Sequence, residues 1–518
     1  MFPFPILSII ILLPLLGGIA ILCIPKERVS AIRWTAVGVA WMDFLLAMVL
    51  VLAYSEAGVS ASSPIFGSAP NGTFLYDEQL TWIASLGINY SLGVDGISLL
   101  LVALTTLLTL VCIGASFRID QKVKNYMAFM LLLECGILGV FLSTNLFLFY
   151  IFWEVMLIPA YFLVGSWGGE RRIYAAIKFV LFTSVGSLLM LAGVIAIGYY
   201  HQKATGGSYT LELATLLNSR LDNTVQMWLL LAFAAAFVVK VPLVPFHSWL
   251  PDAYSEAPAP VTAMLAGAMS KTGAYGLLRI CLPLFPSAIH TLAPLFNTLA
   301  VISILYCAVL ALVQTDLKRL LAYSSISHLG VIVLGMFAFN TQGIEGSVLQ
   351  MVNHGITIVA LFLIVGFIEA RTGTRNIRDF GGLARRVPVL ATVLLIATLS
   401  SLGLPGLNSF TGEFLALLGA FRSNAIFGVL GTAVVVPAAW YLMRFFLDTM
   451  EGTLQTAGTV GALERKGKLY DLHLGEFLTL APLLLLIFYI GIQPVPLTYL
   501  MEPSVVNTLQ NIGSAFVR

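Results

Sequence analysis

Long apolar runs separated by short polar loops recur along the whole chain. Windows long enough to cross a bilayer fall near residues 2–24, 31–54, 96–117, 125–143, 145–167, 173–199, 227–250, 260–283, 292–313, 320–339, 346–369, 387–418, 425–448 and 478–500. About 20 apolar residues make one span. The pattern therefore predicts an all-α polytopic membrane protein of about fourteen transmembrane helices. Only Ser143 and Thr144 separate the fourth window from the fifth, so these two helices must form a tight hairpin. The first window has no basic leader and no small-residue cleavage site, so it reads as a retained helix and not a signal peptide. The loop 55–95 is rich in Ser, Gly and aromatic residues, lacks Lys and Arg, and is expected to form a short ordered cap over the outer face.

Two windows are interrupted. Helix seven carries Val241-Pro242-Leu243-Val244-Pro245-Phe246-His247, and helix twelve carries Gly403-Leu404-Pro405-Gly406-Leu407-Asn408. Proline removes a backbone donor and collides with the preceding turn. Irregular backbone at membrane depth survives only where protein or water satisfies it. Ordinary proline kinks would give the same local pattern, but polar residues accompany both breaks. Two broken helices five spans apart suggest two inverted five-helix repeats, an arrangement of transporters that places sites at the breaks. The expected organisation is residues 1–124 (helices 1–3 with the outward loop), 125–283 (helices 4–8), 292–448 (helices 9–13) and 449–518 (a C-terminal loop and helix 14).

Composition agrees with a bilayer as the solvent. The chain has 518 residues, 59% apolar and 10% charged, against about a quarter charged in a soluble domain. A mean hydropathy of +0.95 leaves almost no room for a separate soluble domain. A net charge of +2 implies neither an acidic nor a basic partner, and no basic patch suggests nucleic acid. The five cysteines lie in or beside apolar segments with no CxxC spacing, and read as small buried hydrophobes. The sequence offers no ligand set for an iron–sulfur cluster, haem or zinc, so no cofactor is expected in this chain. Loops after odd-numbered helices hold nineteen Lys and Arg, and the opposite side holds five. By the positive-inside rule both termini face outward.

Charges inside spans are the informative residues. A charge at a helix centre costs about 2.5–3.5 kcal/mol on insertion scales and usually faces the bundle interior. Glu154 stands about nine residues, roughly 14 Å, into helix five. Lys240 immediately precedes the break in helix seven, and Lys271 sits near the middle of helix eight. His328 and His354 lie within helices ten and eleven, and Glu413 follows the break in helix twelve. Together these six form a chain of proton-exchangeable groups. Burial disfavours an ammonium, and a nearby carboxylate restores it. Lys240 would then hold its proton when paired with Glu154 and release it when the pair opens, with the histidines as relays. A static buried ion pair and satisfied core histidines are the bland alternatives. Three further residues stand open to two readings each. Glu134 is central in helix four without an evident partner. Lys178 lies close to Arg171 and Arg172 and could simply snorkel. His247, past the break, could line a water path or cap it. His201, His290 and His473 read as solvated.

At these residues the chain resembles a known family. The stretch Phe237-Val238-Val239-Lys240-Val241-Pro242-Leu243-Val244-Pro245-Phe246-His247-Ser248-Trp249-Leu250-Pro251-Asp252-Ala253 is similar to the signature of the antiporter-like subunits of respiratory complex I. It continues as Glu256-Ala257-Pro258 and Lys271-Thr272-Gly273-Ala274-Tyr275-Gly276. A second block, Asp316-Leu317-Lys318-Arg319-Leu320-Leu321-Ala322-Tyr323-Ser324-Ser325-Ile326-Ser327-His328-Leu329-Gly330, matches the same family. The resemblance covers about residues 90–450. It implies Glu154 and Lys240 as the pair, Lys271, His328 and His354 as the central relay, and Glu413 as the exit group. Within the family, a glutamate at this helix-twelve position marks one of the large subunits, where the others carry lysine. It also implies a proton-translocating membrane subunit of an NADH–quinone oxidoreductase, with NAD(H), FMN, iron–sulfur clusters and quinone in partner subunits. Expected partners are the other membrane-arm subunits, including neighbouring antiporter-like subunits, and the lipid bilayer. The expected location is the cell inner membrane, with a photosynthetic membrane also open. The same fold occurs in multisubunit Na⁺/H⁺ antiporters and membrane-bound hydrogenases, which form the rival reading. A sodium site would want clustered carboxylates and carbonyls, whereas the carboxylates here stand isolated beside lysines.

Overall fold

A computed structural model of the chain describes residues 4–59, 75–83, 86–219, 221–452 and 469–513. Residues 60–74 of the predicted cap, and Arg220, Arg465, Lys466, Lys468 and Arg518 of the charge count, lie outside the described residues. Twelve helical stretches among the described residues are long and apolar enough to cross a membrane. These are α1 (Ile6–Cys23), α2 (Val29–Val59), α3 (Gly96–Ala115), α4 (Val123–Leu142), α5 (Leu146–Trp167), α6 (Arg172–Thr205), the first half of α7 (Asn223–Lys240), α9 (Pro286–Val313), α10 (Leu317–Met336), α11 (Thr341–Thr372), α13 (Ala425–Met450) and α14 (Leu474–Ile492). The two remaining windows are apolar but interrupted. α8 (259–284) alternates α-helical turns with π-helical turns at Leu265–Met269 and Leu277–Cys281. α12 is two pieces, Pro388–Ser401 and Asn408–Ser423. Helix seven is broken as expected, resuming at Trp249–Glu256.

With no water in the hydrocarbon layer, orphan N–H groups at helix starts must find protein partners. Short polar residues supply them. Asp95 and Ser98 form a capping box on α3. Asn145, Asp316 and Asn340 accept from the first turns of α5, α10 and α11. The start of α1 is capped from a distance: Glu78 accepts from Leu7 N at 2.8 Å and Ser8 N at 3.0 Å. Glu78 belongs to β1 (Leu75–Ile83), which pairs antiparallel with β2 (Ile88–Val94), so part of the predicted cap is a hairpin.

The last window needs correction. The expected helix 478–500 stops at Ile492, and a separate helix α15 (Val495–Gly513) follows. Pro494 explains the stop, because the residue before a proline is driven out of the helical region. Gln493 accordingly sits at φ −131°, ψ 72°. α15 packs so closely on α3 that a Cβ at Gly96 would lie 1.9 Å from the Leu500 carbonyl.

Burial separates centre from rim. The apolar window of α11 is 94% buried, against 28% for α2 and α14. Large apolar side chains such as Trp34, Leu181, Val185 and Trp440 point outward, as lipid-facing residues should. The interior holds the polar groups, on α8, α10, α11 and the second half of α12.

Candidate proton-relay site

Each break is held by side chains from its neighbours. In α7 the Trp249 indole donates to the Val239 carbonyl at 3.0 Å, and Ser303 of α9 accepts from Val244 N at 2.9 Å. In α12, Asn353 of α11 donates to the Asn408 carbonyl at 2.7 Å, and Asn408 returns a bond to the Asn353 carbonyl at 3.2 Å. Ser400 and Thr357 close the same clasp. The opened backbone is thus satisfied by protein, the condition for tolerating it at depth.

Four of the six expected residues stand in a row, as two hydrogen-bonded pairs whose histidine rings face each other. Lys271 is fully buried, and its Nζ contacts the Ala266 carbonyl (2.5 Å), Ser270 Oγ (3.3 Å) and His354 Nδ1 (2.7 Å). Ala266 lies in the π-helical turn, and both Lys271 and Ser270 bond its carbonyl. An ammonium has three donors, and here all three are used. An ammonium at Lys271 makes His354 Nδ1 the acceptor, and His354 Nε2 has no hydrogen-bond partner. The His354 and His328 rings lie 5.6 Å apart. His328 Nδ1 meets Glu413 Oε1 at 2.5 Å, and its Nε2 faces Ser401 Oγ at 3.4 Å. Gln350 donates to the same Glu413 oxygen at 3.0 Å.

Lys240 and Glu154 behave differently. Lys240 ends the first half of α7, is 1% exposed, and its Nζ has no hydrogen-bond partner. It sits 5.2 Å from the Trp153 ring centre and 5.7 Å from that of Phe179. Ring faces attract a cation but accept no proton. Glu154 is half-buried and within electrostatic reach of Lys240, yet its Oε1 is also unpartnered. The expected pair is adjacent but open. Gly273 lets α8 press against it: a Cβ there would lie 2.9 Å from Lys240 Cβ.

The lesser residues are sorted by the structure. Lys178 does not snorkel; it pairs with Asp252 at 2.7 Å, and Asp252 also pairs with Arg319 at 2.6 Å. Asp252, Arg319, Arg171, Asp316 and Arg375 line a polar cavity of about 240 Å³. His247 stands edge-on to Tyr306, with Nδ1 unpartnered. Glu134 stands beside a second carboxyl group, Asp43 of α2. His201 is not solvated; it is 6% exposed, with Nδ1 2.5 Å from Ser219 Oγ. Arg279, counted with the outward loop charges, is buried within α8 and paired with Asp95 at 3.2 Å.

Asp43, Asp252, Gln350 and Asp95 escaped the sequence reading. Asp43 obeys the rule that found the others, a charge inside an apolar window, in Trp41-Met42-Asp43-Phe44. Gln350 carries no formal charge and offers no such signal.

A polytopic membrane bundle with two clasped helix breaks and a buried acid–base line is the class that fold and site define. A sequence profile described as "NADH:quinone oxidoreductase/Mrp antiporter, TM" matches residues 143–436, and the chain belongs to that family. It is 37% identical over 516 residues to NADH-quinone oxidoreductase subunit M of Rickettsia bellii, covering 98% of this chain and 99% of the relative. Among solved structures it is similar to a chain of respiratory complex I from Thermus thermophilus with bound NADH, with 30% identity, TM-score 0.84, and 98% and 99% of the two chains covered. The fold is also shared with a chain of the Mrp complex from Dietzia sp. DQ12-45-1b, at 21% identity and TM-score 0.82, covering 99% and 100%.

Proposed function

We propose that this chain is a proton-translocating membrane subunit of a complex I-type NADH–quinone oxidoreductase. The observation that carries the reading is the row of neighbouring groups Lys271, His354, His328 and Glu413 through the buried centre of the bundle. Relatives named as subunit M at near-full coverage support it. Redox chemistry takes place in partner subunits, which hold NAD(H), FMN, iron–sulfur clusters and quinone. Neighbouring antiporter-like subunits flank this chain in an inner membrane, with both termini outward.

Lys240 is the gate. A change delivered by a neighbour closes or opens its contact with Glu154. When the contact is open, as here, Lys240 has no hydrogen-bond partner to fix its proton, and the proton moves through water at the break to Lys271. The rest of the path is short. Lys271 passes the proton across 2.7 Å to His354, and the ring-to-ring step of 5.6 Å takes one water or a ring rotation. His328 hands it to Glu413. Lys178, Asp252 and the polar cavity form the intake side. The repeat organisation 125–283 and 292–448 belongs to the same proposal, one break serving the gate and the other the exit.

The test is proton movement per electron in proteoliposomes holding the assembled complex with Lys271→Ala. The expected result is normal assembly and lost translocation through this chain. Unchanged proton-per-electron stoichiometry would sink the relay. Cation-dependent proton flux without any electron donor would instead favour the antiporter reading.

A further inference from the structure

Asp43 and Glu134 form a second polar centre, apart from the relay. Asp43 lies in α2 and Glu134 in α4, and both side chains are fully buried. Their carboxyl groups are within hydrogen-bonding reach of each other. Among the described residues, no donor makes a well-formed hydrogen bond to any of the four oxygens. Thr109 of α3 flanks Glu134, but its hydroxyl donates to the Thr105 carbonyl at 3.0 Å. Cys135 is the other titratable neighbour. α1 and α3 contribute no charged residue to this bundle. Arg33 of α2 pairs with Asp120 at 2.7 Å, and Arg118, just past α3, pairs with Glu476 at 2.5 Å.

Two carboxylates cannot both keep their charge here. Burial without a cation penalises each, and contact adds mutual repulsion. A carboxylate only accepts hydrogen bonds, whereas a protonated carboxyl gains a donor. One proton between the two removes one charge and supplies the single donor the site lacks. We propose that Asp43 and Glu134 hold one proton between them as a buried acid–carboxylate pair, a proton-holding site separate from the Lys271–Glu413 line. The pair carries one negative charge in total. The two acids divide the proton as carboxylate dyads do when like charges share a site.

The surroundings place this pair beside the gate. α4 presses on α5 so tightly that a Cβ at Gly136 would lie 2.7 Å from Met156, and one at Gly139 would lie 2.1 Å from Phe152. Met156 and Phe152 bracket Glu154 in sequence. The proton-holding pair therefore stands one helix behind the carboxylate of the gate.

Infrared difference spectroscopy on the assembled complex in lipid tests the proposal, comparing wild type with Asp43→Asn, Glu134→Gln and the double variant. The wild type should show a carboxylic-acid C=O band that shifts in D₂O. Each single variant should move that band, because the acid's partner changes from a carboxylate to an amide, and the double variant should lose it. A double variant with the wild-type band intact overturns the proposal. If the double variant does not assemble, an unmoved band in both single variants overturns it equally. Proton translocation is measured on the same samples. The relay can then fail with the band present, or the band can be absent with the relay working.

Discussion

The two broken helices place their titratable groups in opposite surroundings. At the end of the first half of α7, Lys240 is buried among Trp153 and Phe179 with no hydrogen-bond partner. After the break in α12, Glu413 accepts from both His328 and Gln350. The difference teaches how a bundle can separate switching from conduction. A group without fixed partners can gain or lose its proton as a neighbour moves. A group held by two partners keeps its geometry and passes a proton along.

The largest expected effect sharpens the conducting side. Glu413→Gln keeps the shape but removes the terminal base, so translocation should stop while NADH oxidation by the assembled complex continues uncoupled or slowed. Proton-per-electron ratios in proteoliposomes check this, and a normal ratio breaks the idea that Glu413 ends the line. Lys240→Met tests the switching side and also abolishes translocation. Its second readout separates the two regions. Replacing a buried amine that has no hydrogen-bond partner with an apolar chain of similar length should raise stability by about 1–3 kcal/mol. Lys271→Met should lower it, because the Ala266 carbonyl, Ser270 and His354 lose a shared donor. Thermal unfolding of the complex by a subunit-specific label decides, and equal shifts for both variants would erase the contrast.

Smaller effects probe the supports. Gly273→Ala puts a Cβ 2.9 Å from Lys240 Cβ and 3.0 Å from the Phe237 carbonyl, so α8 must move back from the gate. Overpacking of this kind costs about 1–3 kcal/mol, and slower proton uptake at an unchanged level of assembly is the outcome to look for. Gln350→Ala removes one of the two donors to Glu413. A loss of about 1 kcal/mol of positioning predicts a translocation rate lower by several fold with His328 still in place. Smallest is Lys178→Ala. Its pair with Asp252 is about one-fifth exposed on both sides, and such pairs contribute about 0–1 kcal/mol. A modest drop in proton uptake is expected, and a complete loss would make the intake as critical as the gate.

Much of this was legible because the bilayer imposes simple rules. Apolar run length gave the spans, and proline at Pro242, Pro245 and Pro405 gave both breaks. Lys240, Lys271, Glu154 and Glu413 stood out because a charge in a span is costly without a purpose. The same rule covered Asp43, which was passed over. Pro494 likewise announced the end of α14. Other features had no linear signal. Gln350 is one uncharged amide among many. Arg279 looked like a loop cation because charge alone does not show that Asp95, almost two hundred residues earlier, waits to pair with it. Lys178 stood open between snorkelling and a role in the site, and only the fold brings Asp252 to it from the far side of the break.

The sequence by itself determined that this protein lives in a membrane, where its helices break, and which side chains are too costly to be idle. Those facts depend on local chemistry: transfer of apolar runs out of water, the missing proline N–H, and the penalty on a buried charge. Only the tertiary structure decided which costly groups touch. It joined Lys271, His354, His328 and Glu413 from four separate elements and left Lys240 without a hydrogen-bond partner. It also set Asp43 against Glu134. Hydrogen bonds are short and directional, so partnership follows from how helices pack and cannot be read from the distance between residues along the chain.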